Sequence, residues 1–351
     1  MKYLNTLLVL APIAIIGRFF LDLPPTLLFI ISALAVIPVA GILGRATEEI
    51  AVHTGPRVGG LLNATLGNAA ELIITLFAIR AGLMELVKAS ITGSILGNIL
   101  LIMGLSVMVG GMKNGVQRFD RTHAGVNSTQ LLLAVFALMI PSLFFFAHTE
   151  TYGPVEYLSI GTAVAMLAVY VLGLIFAFRY TSPEPELAKE THAAPHGGWS
   201  VRKSVLYLAG ATVLIAVLSE ILVGSVEHTV SAWGISEFFI GIIVVPLVGN
   251  VAEHVVAVQT ALKNKMELSM AVSIGSSLQI ALFVAPILVF VSLLMGNRLT
   301  LVFNQFEIIA LFSGILVAAL ISQDGETNWL EGVQLLGLYL ILALAFFFLR
   351  V

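Results

Sequence analysis

Long apolar runs separated by short polar breaks fill almost the whole chain. They cover residues 4–21, 26–44, 58–82, 86–109, 126–146, 155–178, 204–226, 238–262, 268–294, 306–321 and 329–349. A helix crosses the hydrocarbon core of a bilayer with about 20 apolar residues. The pattern therefore predicts an all-α integral membrane protein with eleven transmembrane helices. The first run resembles a secretory leader, but Arg18, the bulky Phe19-Phe20 pair and the lack of an A-x-A site favour a retained helix. One longer polar stretch, from Arg179 to Lys203, carries three prolines and Gly197-Gly198 and reads as a linker. The expected organisation is an extra N-terminal helix in 1–24, a first five-helix unit in 25–179, the linker in 180–203 and a second five-helix unit in 204–351.

The two units repeat each other. Gly67-Asn68-Ala69-Ala70-Glu71 sits in the third run and Gly249-Asn250-Val251-Ala252-Glu253 in the eighth, at an offset of 182 residues. The offset holds without a gap beyond the pentapeptide. Met84-Glu85-Leu86 matches Met266-Glu267-Leu268, Ala89 matches Ala271, Gly93-Ser94 matches Gly275-Ser276, and Leu96 matches Leu278. Apolar helices share leucines by composition, but not Gly, Asn, Glu and Ser at the same places. An internal duplication is the reading.

Composition sharpens this picture. The chain of 351 residues is 59% hydrophobic and 11% charged, with a mean hydropathy of +1.03. A soluble domain carries about 25% charged residues. No basic surface is available for nucleic acid. The absence of cysteine removes disulfides, thiolate metal sites and lipidated Cys. Lys and Arg set the orientation. With the N-terminus in the cytoplasm, 12 of the 17 fall in cytoplasmic segments and 5 on the other side. Eleven spans then put the C-terminus outside. The third and eighth runs cross in opposite directions, so the repeat is inverted, an architecture that places a transport site at the midplane between the halves. A multi-pass location in a cell membrane is expected.

The duplicated motif has its own chemistry. Gly and Asn are poor residues for a helix interior, and Pro246 precedes the second pair, so both runs are expected to break there. A break frees backbone carbonyls, tolerable at membrane depth only where they line a cavity. A carboxylate near the centre of a span costs at least about 2.5 kcal/mol to insert, so Glu71 and Glu253 must face protein, water or an ion. Asn68 with Glu71, and Asn250 with Glu253, are spaced i, i+3 and share a helix face. The following helices add Ser94, Asn98, Ser276 and Gln279. Two carboxylates, amides, hydroxyls and freed carbonyls form an all-oxygen donor set that suits a hard cation such as Ca²⁺.

These residues carry a resemblance. The segment from Ala46-Thr47-Glu48-Glu49-Ile50-Ala51-Val52-His53-Thr54-Gly55-Pro56, through Gly59-Gly60-Leu61-Leu62-Asn63-Ala64-Thr65 into the first pentapeptide, resembles the calcium/proton antiporters (CAX type) of the cation/calcium exchanger superfamily. The second half agrees with Ser219-Glu220-Ile221-Leu222-Val223, Gly234-Ile235-Ser236 and the second pentapeptide. The resemblance implies Ca²⁺ extrusion driven by inward proton flow, with Glu71 and Glu253 on the family's cation-binding glutamates and Asn98 and Gln279 on its supporting polar positions. Sodium/calcium exchangers of that superfamily carry G-T/N-S-x-P-E/D instead. Ala69 and Val251 replace the Ser here, and neither motif has the Pro, which argues against Na⁺ as the coupling ion. One departure is internal: Asn98 aligns with Ile280, not with Gln279.

In a low dielectric, two adjacent carboxylates are costly to leave bare and charged. The pair is then stable when filled by Ca²⁺ or protonated, and an inability of the empty, doubly negative state to change sides would enforce exchange. Glu48, Glu49, Glu220 and His53 are expected along the access paths. Glu85 and Glu267 recur at helix starts, where an acid complements the helix dipole, and His254 is expected to point away from the Glu253 face. His192 and His196 belong to the linker. Resident cofactors are not expected, since Ca²⁺ and protons are cargo. The lipid bilayer is the expected surrounding, and the unpaired first helix leaves a face for a homo-oligomer. A sodium-coupled exchanger and a divalent cation channel are the alternatives. An intramembrane enzyme finds no support, because no H-E-x-x-H, nor any G-x-S-x-G with a partner, is present.

Overall fold

The computed structural model describes residues 4–54, 56–147, 152–180 and 198–349, and these fold almost entirely into helices. In chain order they are α1 (Thr6–Phe19), α2 (Pro25–Thr54), α3 (Pro56–Leu66), α4 (Ala69–Ala81), α5 (Met84–Asn114), α6 (Arg121–Ala147) and α7 (Tyr152–Tyr180). The second half holds α8 (Val201–Gly224), α9 (Val226–Trp233), α10 (Glu237–Gly249), α11 (Val251–Leu262), α12 (Met266–Met295), α13 (Gln305–Ile321) and α14 (Trp329–Phe348). Each apolar run is helical over most of its length, the third and eighth as two helices each. By length and composition, seven helices among the described residues can cross a membrane alone, or eight if α9 and α10, bent by 114°, count as one. The third and eighth runs fall short because each is broken in the middle, and the first and tenth because they are shorter.

Local chemistry sets the boundaries. Ser200 and Ser236 cap α8 and α10 by accepting backbone N–H bonds from Lys203 and Phe239. Asn304 with Glu307, and Asn328 with Glu331, form capping boxes at α13 and α14. Gly82 and Asn264, related by the repeat offset, both take a left-handed φ, +80° and +59°, to end the broken helices. The sequence expectation stops the second helix at residue 44. Helix α2 continues to Thr54 instead, so Glu48, Glu49 and His53 ride on its last turns rather than on a boundary loop.

Three π-helical stretches interrupt the α-pattern. Gly97–Ile102 in α5 and Ile280–Val284 in α12 occupy equivalent places in the two halves, while Ile240–Val244 in α10 has a plain α-helical counterpart. Such bulges concentrate at functional sites, and two of these adjoin Asn98 and Gln279.

Helices α2 and α8 pack most extensively, and between them and α5 and α12 run the broken pairs α3–α4 and α10–α11. Close approach needs small residues. A Cβ on Gly241 would meet Ala89 and Leu86, and one on Gly93 would overlap the Ile242 backbone, so α5 and α10 touch main chain to main chain.

The loop contacts fall into two sets. In one, the Gln117 side chain donates to the Ala261 carbonyl and to Asn264, Lys113 donates to the Leu262 carbonyl, and Gln117–Arg118 pairs as a two-residue antiparallel ribbon with Glu326–Thr327. In the other, Asn297 donates to the Ile79 carbonyl, Arg298 pairs with Glu156 at 2.7 Å, and Ser142 and Ser159 accept from Phe303 and Leu301. The expected linker falls largely on residues 181–197, outside the described residues, as do His192 and His196.

Candidate cation site

The two breaks share one backbone solution. Asn68 (φ −98°, ψ 24°) and Asn250 (φ −101°, ψ 4°) leave helical geometry just before α4 and α11, and neither side chain caps the helix that it precedes. Both amides are spent on other bonds. Asn68 Nδ2 donates to Gln279 Oε1 at 2.6 Å, while its own Oδ1 is buried without a partner. Asn250 Nδ2 donates to the Pro246 carbonyl at 3.2 Å and reaches Ser94 Oγ at 3.5 Å.

Each motif glycine lies under the other motif's carboxylate. A Cβ on Gly249 would stand 3.1 Å from Glu71 Cγ and Cδ and 3.2 Å from its Oε1. A Cβ on Gly67 would stand 3.6 Å from Gln279 Oε1 and 3.7 Å from Glu253 Oε1. The two breaks therefore cross, and the crossing brings Glu71, Glu253, Asn68 and Gln279 together. Each glutamate sits in the first turn of its helix, where the helix dipole favours a negative charge. Ser276 Oγ makes a short hydrogen bond to Glu253 Oε2, while Glu71 Oε1 is buried with no hydrogen-bond partner. Glu71 Oε1 and Asn68 Oδ1 are thus both buried oxygens without a hydrogen-bond partner, the kind of donor a hard cation takes. No group of three or more His, Asp and Glu converges among the described residues. Charge at the crossing thus comes from two carboxylates, and the rest of the donor set is neutral.

The other expected residues separate. Ser94 reaches the site through Asn250. Asn98 is buried on the π-stretch of α5, its Nδ2 without a partner, and no hydrogen bond joins it to the carboxylates. Glu48 is exposed near the end of α2. Glu49 is buried, accepts the Trp199 backbone N–H at 3.1 Å, and lies 3.8 Å from Arg45. It tethers the start of the second half to α2. His53 is exposed and donates through Nδ1 to the Glu49 carbonyl at 2.7 Å. Glu220 is exposed on α8 and shows no bond to the cluster. His254 is buried with Nε2 unpartnered. Glu85 pairs with Lys88 at the start of α5.

A family model described as "Sodium/calcium exchanger protein" matches residues 24–179 and 203–348. The chain belongs to this family. Among curated relatives, the "Ca(2+)/H(+) antiporter" of Synechocystis sp. is 43% identical over 99% of this chain and 97% of its own. The "Ca(2+)/H(+) antiporter ChaA" of Bacillus subtilis is 42% identical over 96% of each. The solved structure of native YfkE superimposes with a TM-score of 0.86 at 39% identity, over 99% of this chain and 100% of that one.

Sequence reasoning passed over one buried acid. Glu307 is fully buried on α13, accepts Thr92 Oγ1 at 3.0 Å, and closes its capping box by accepting the Asn304 N–H at 2.8 Å. It has no repeat partner, since the equivalent position is Gly125. The Asn-x-x-Glu spacing was the available signal.

Proposed function

We propose that the protein is a secondary transporter, not an enzyme, that exports Ca²⁺ from the cytosol in exchange for protons by alternating access around Glu71 and Glu253. The observation that carries this reading is the reciprocal seating of each carboxylate against the glycine of the other broken helix. That crossing makes one pocket out of two repeats. Full-length relatives named Ca²⁺/H⁺ antiporters support the choice of ions.

The ligand set is Glu71, Glu253, Asn68, Asn250, Ser94, Asn98, Ser276 and Gln279, with the two glutamates also carrying the protons. Ca²⁺ bound between them neutralises both charges, and so do protons. The pair stripped of both leaves two anions at membrane depth, too costly to carry across. Movement between sides therefore requires one cargo or the other.

Eleven spans, built as one helix plus an inverted five-plus-five repeat, are supported by how the loops sort. Even-numbered connections touch one another (113–118 with 261–264 and 326–327), and so do odd-numbered ones (Ile79 with Asn297, Glu156 with Arg298). The family model's separate matches to the two halves support the same division, with boundaries at 25–179 and 204–351 and a linker in 180–203. The N-terminus and the 113–118 loop are then cytoplasmic and the C-terminus is outside.

Everted vesicles should accumulate Ca²⁺ while a pH gradient is held and stop when it is collapsed. Uptake that survives the collapse overturns the reading. The family description names sodium, which keeps a sodium-coupled exchanger as the second reading. Replacing Na⁺ with choline separates the two, and the rate is expected not to change, because Ala69 and Val251 stand where the sodium motif has Ser.

A further inference from the structure

A cavity of about 490 Å³, which Glu48 does not line, is walled by α6, α7 and α12. Its outer end holds Asp120 and Glu267, beside the 115–120 and 263–267 connections, and its inner end holds Gln279, the residue that accepts the Asn68 amide. The walls are otherwise largely apolar. Across them α6 lays a polar line: His123, Asn127 and Gln130, spaced i, i+4, i+7, fall on one face of the helix and all line the cavity. Polar groups on a membrane helix are costly against lipid, and this face continues as Ala134, Leu138 and Pro141, all buried. The polar line thus runs only as far as the cavity does. Gly173 of α7 makes room for its innermost member, since a Cβ there would stand 2.8 Å from Gln130 Nε2.

We infer that this cavity is a second aqueous passage between the cation site and the cytoplasmic face, through which the coupling proton leaves the carboxylates by way of Gln279. The inference rests on the antiport reading. The lining chemistry decides between cargoes. His123, exposed and next to Asp120, belongs to the mouth; beyond it the line consists of the neutral amides of Asn127 and Gln130, which donate and accept hydrogen bonds and hold water in file but offer no charge to a dehydrating divalent cation. The access path expected at Glu48 presents a carboxylate to the metal. Two passages on one face let the arriving Ca²⁺ and the departing proton use different paths at the same pair.

The chain has no cysteine, so single substitutions report without background. Asn127→Cys and Gln130→Cys should react with a charged, membrane-impermeant methanethiosulfonate applied to everted vesicles, and the reaction should slow proton-coupled Ca²⁺ uptake at least fivefold. The double variant Asn127→Leu/Gln130→Leu should slow Ca²⁺-driven proton movement about tenfold while equilibrium ⁴⁵Ca²⁺ binding to the purified protein stays within twofold of wild type. Unreactive cysteines, or a Leu double variant that moves protons at the wild-type rate, overturn the inference. Failure of the antiport reading looks different: the unsubstituted protein would then show no proton-coupled uptake, whatever the cysteines do.

Discussion

At the scale of single residues, the two glutamates are equivalent in sequence but not in surroundings. Glu253 shares one oxygen with Ser276, whereas Glu71 keeps a buried oxygen with no partner. Both are still expected to be indispensable, because a single remaining carboxylate cannot balance a divalent charge. Glu71→Gln and Glu253→Gln should each reduce vesicle Ca²⁺/H⁺ exchange at least 100-fold, to background, with the protein still inserted and monodisperse in detergent. Wild-type uptake by either variant would remove that glutamate from the site. The glycines give a finer test. Gly249→Ala puts a methyl 3.1 Å from the Glu71 carboxyl group, and overpacking of this kind costs about 1–3 kcal/mol. Apparent Ca²⁺ affinity should fall about 10-fold or more, read by ⁴⁵Ca²⁺ binding. The methyl of Gly67→Ala instead meets the Asn63 carbonyl at 2.7 Å, so that variant should lose thermal stability as well as affinity.

At the scale of elements, the chain's own pattern announced most of what the site needs. Two Gly-Asn pairs in the middle of apolar runs marked the breaks at 67–68 and 249–250, and the shared i, i+3 spacing put amide and carboxylate on one face. What it could not announce depends on neighbours distant in sequence. The π-stretches at 97–102 and 280–284 leave no residue signature, because they arise from how α5 and α12 pack. Glu49 looks like its neighbour Glu48 in sequence, yet only the fold shows that one turns inward to Trp199 and the other outward. Glu220 was expected along an access path, and α8 turns it to the exposed side with no bond to the cluster. Glu307 was missed because it repeats nowhere, and its work is to join elements: it fixes the start of α13 and accepts Thr92 on α5, two residues from Ser94. Glu307→Ala would strand a buried hydroxyl and a backbone N–H, at about 1–3 kcal/mol each. It should lower the apparent melting temperature in detergent by several degrees. Glu307→Gln keeps one acceptor and should lose about half as much. If both variants melt with the wild type, α13 and α5 are not joined through this side chain.

At the scale of the whole molecule, function depends on the sense in which each half threads the bilayer. Alternating access around a shared midplane site needs the two broken helices to run in opposite directions, so that one half offers to one face what the other offers to the opposite face. The C-terminal end of α4 meets the 297–298 connection through Ile79, whereas that of α11 meets the 113–118 connection through Ala261 and Leu262. Those connections belong to different contact sets, and in the proposed topology five crossings, made by α5, α6, α7, α8 and the broken pair α10–α11, lead from the end of α4 to the end of α11. An odd number of crossings between the two motifs reproduces this sorting, and an even number would put Ile79 and Ala261 at the same face. Single cysteines at Asn264 and Asn297 make the distinction directly in this cysteine-free chain. In everted vesicles, Asn264→Cys should react with an impermeant maleimide and Asn297→Cys should not. In right-side-out vesicles the pattern should reverse. Labelling of both positions from one face would make the repeat parallel. The two glutamates could then still meet in one pocket, but the halves would no longer mirror each other across the membrane.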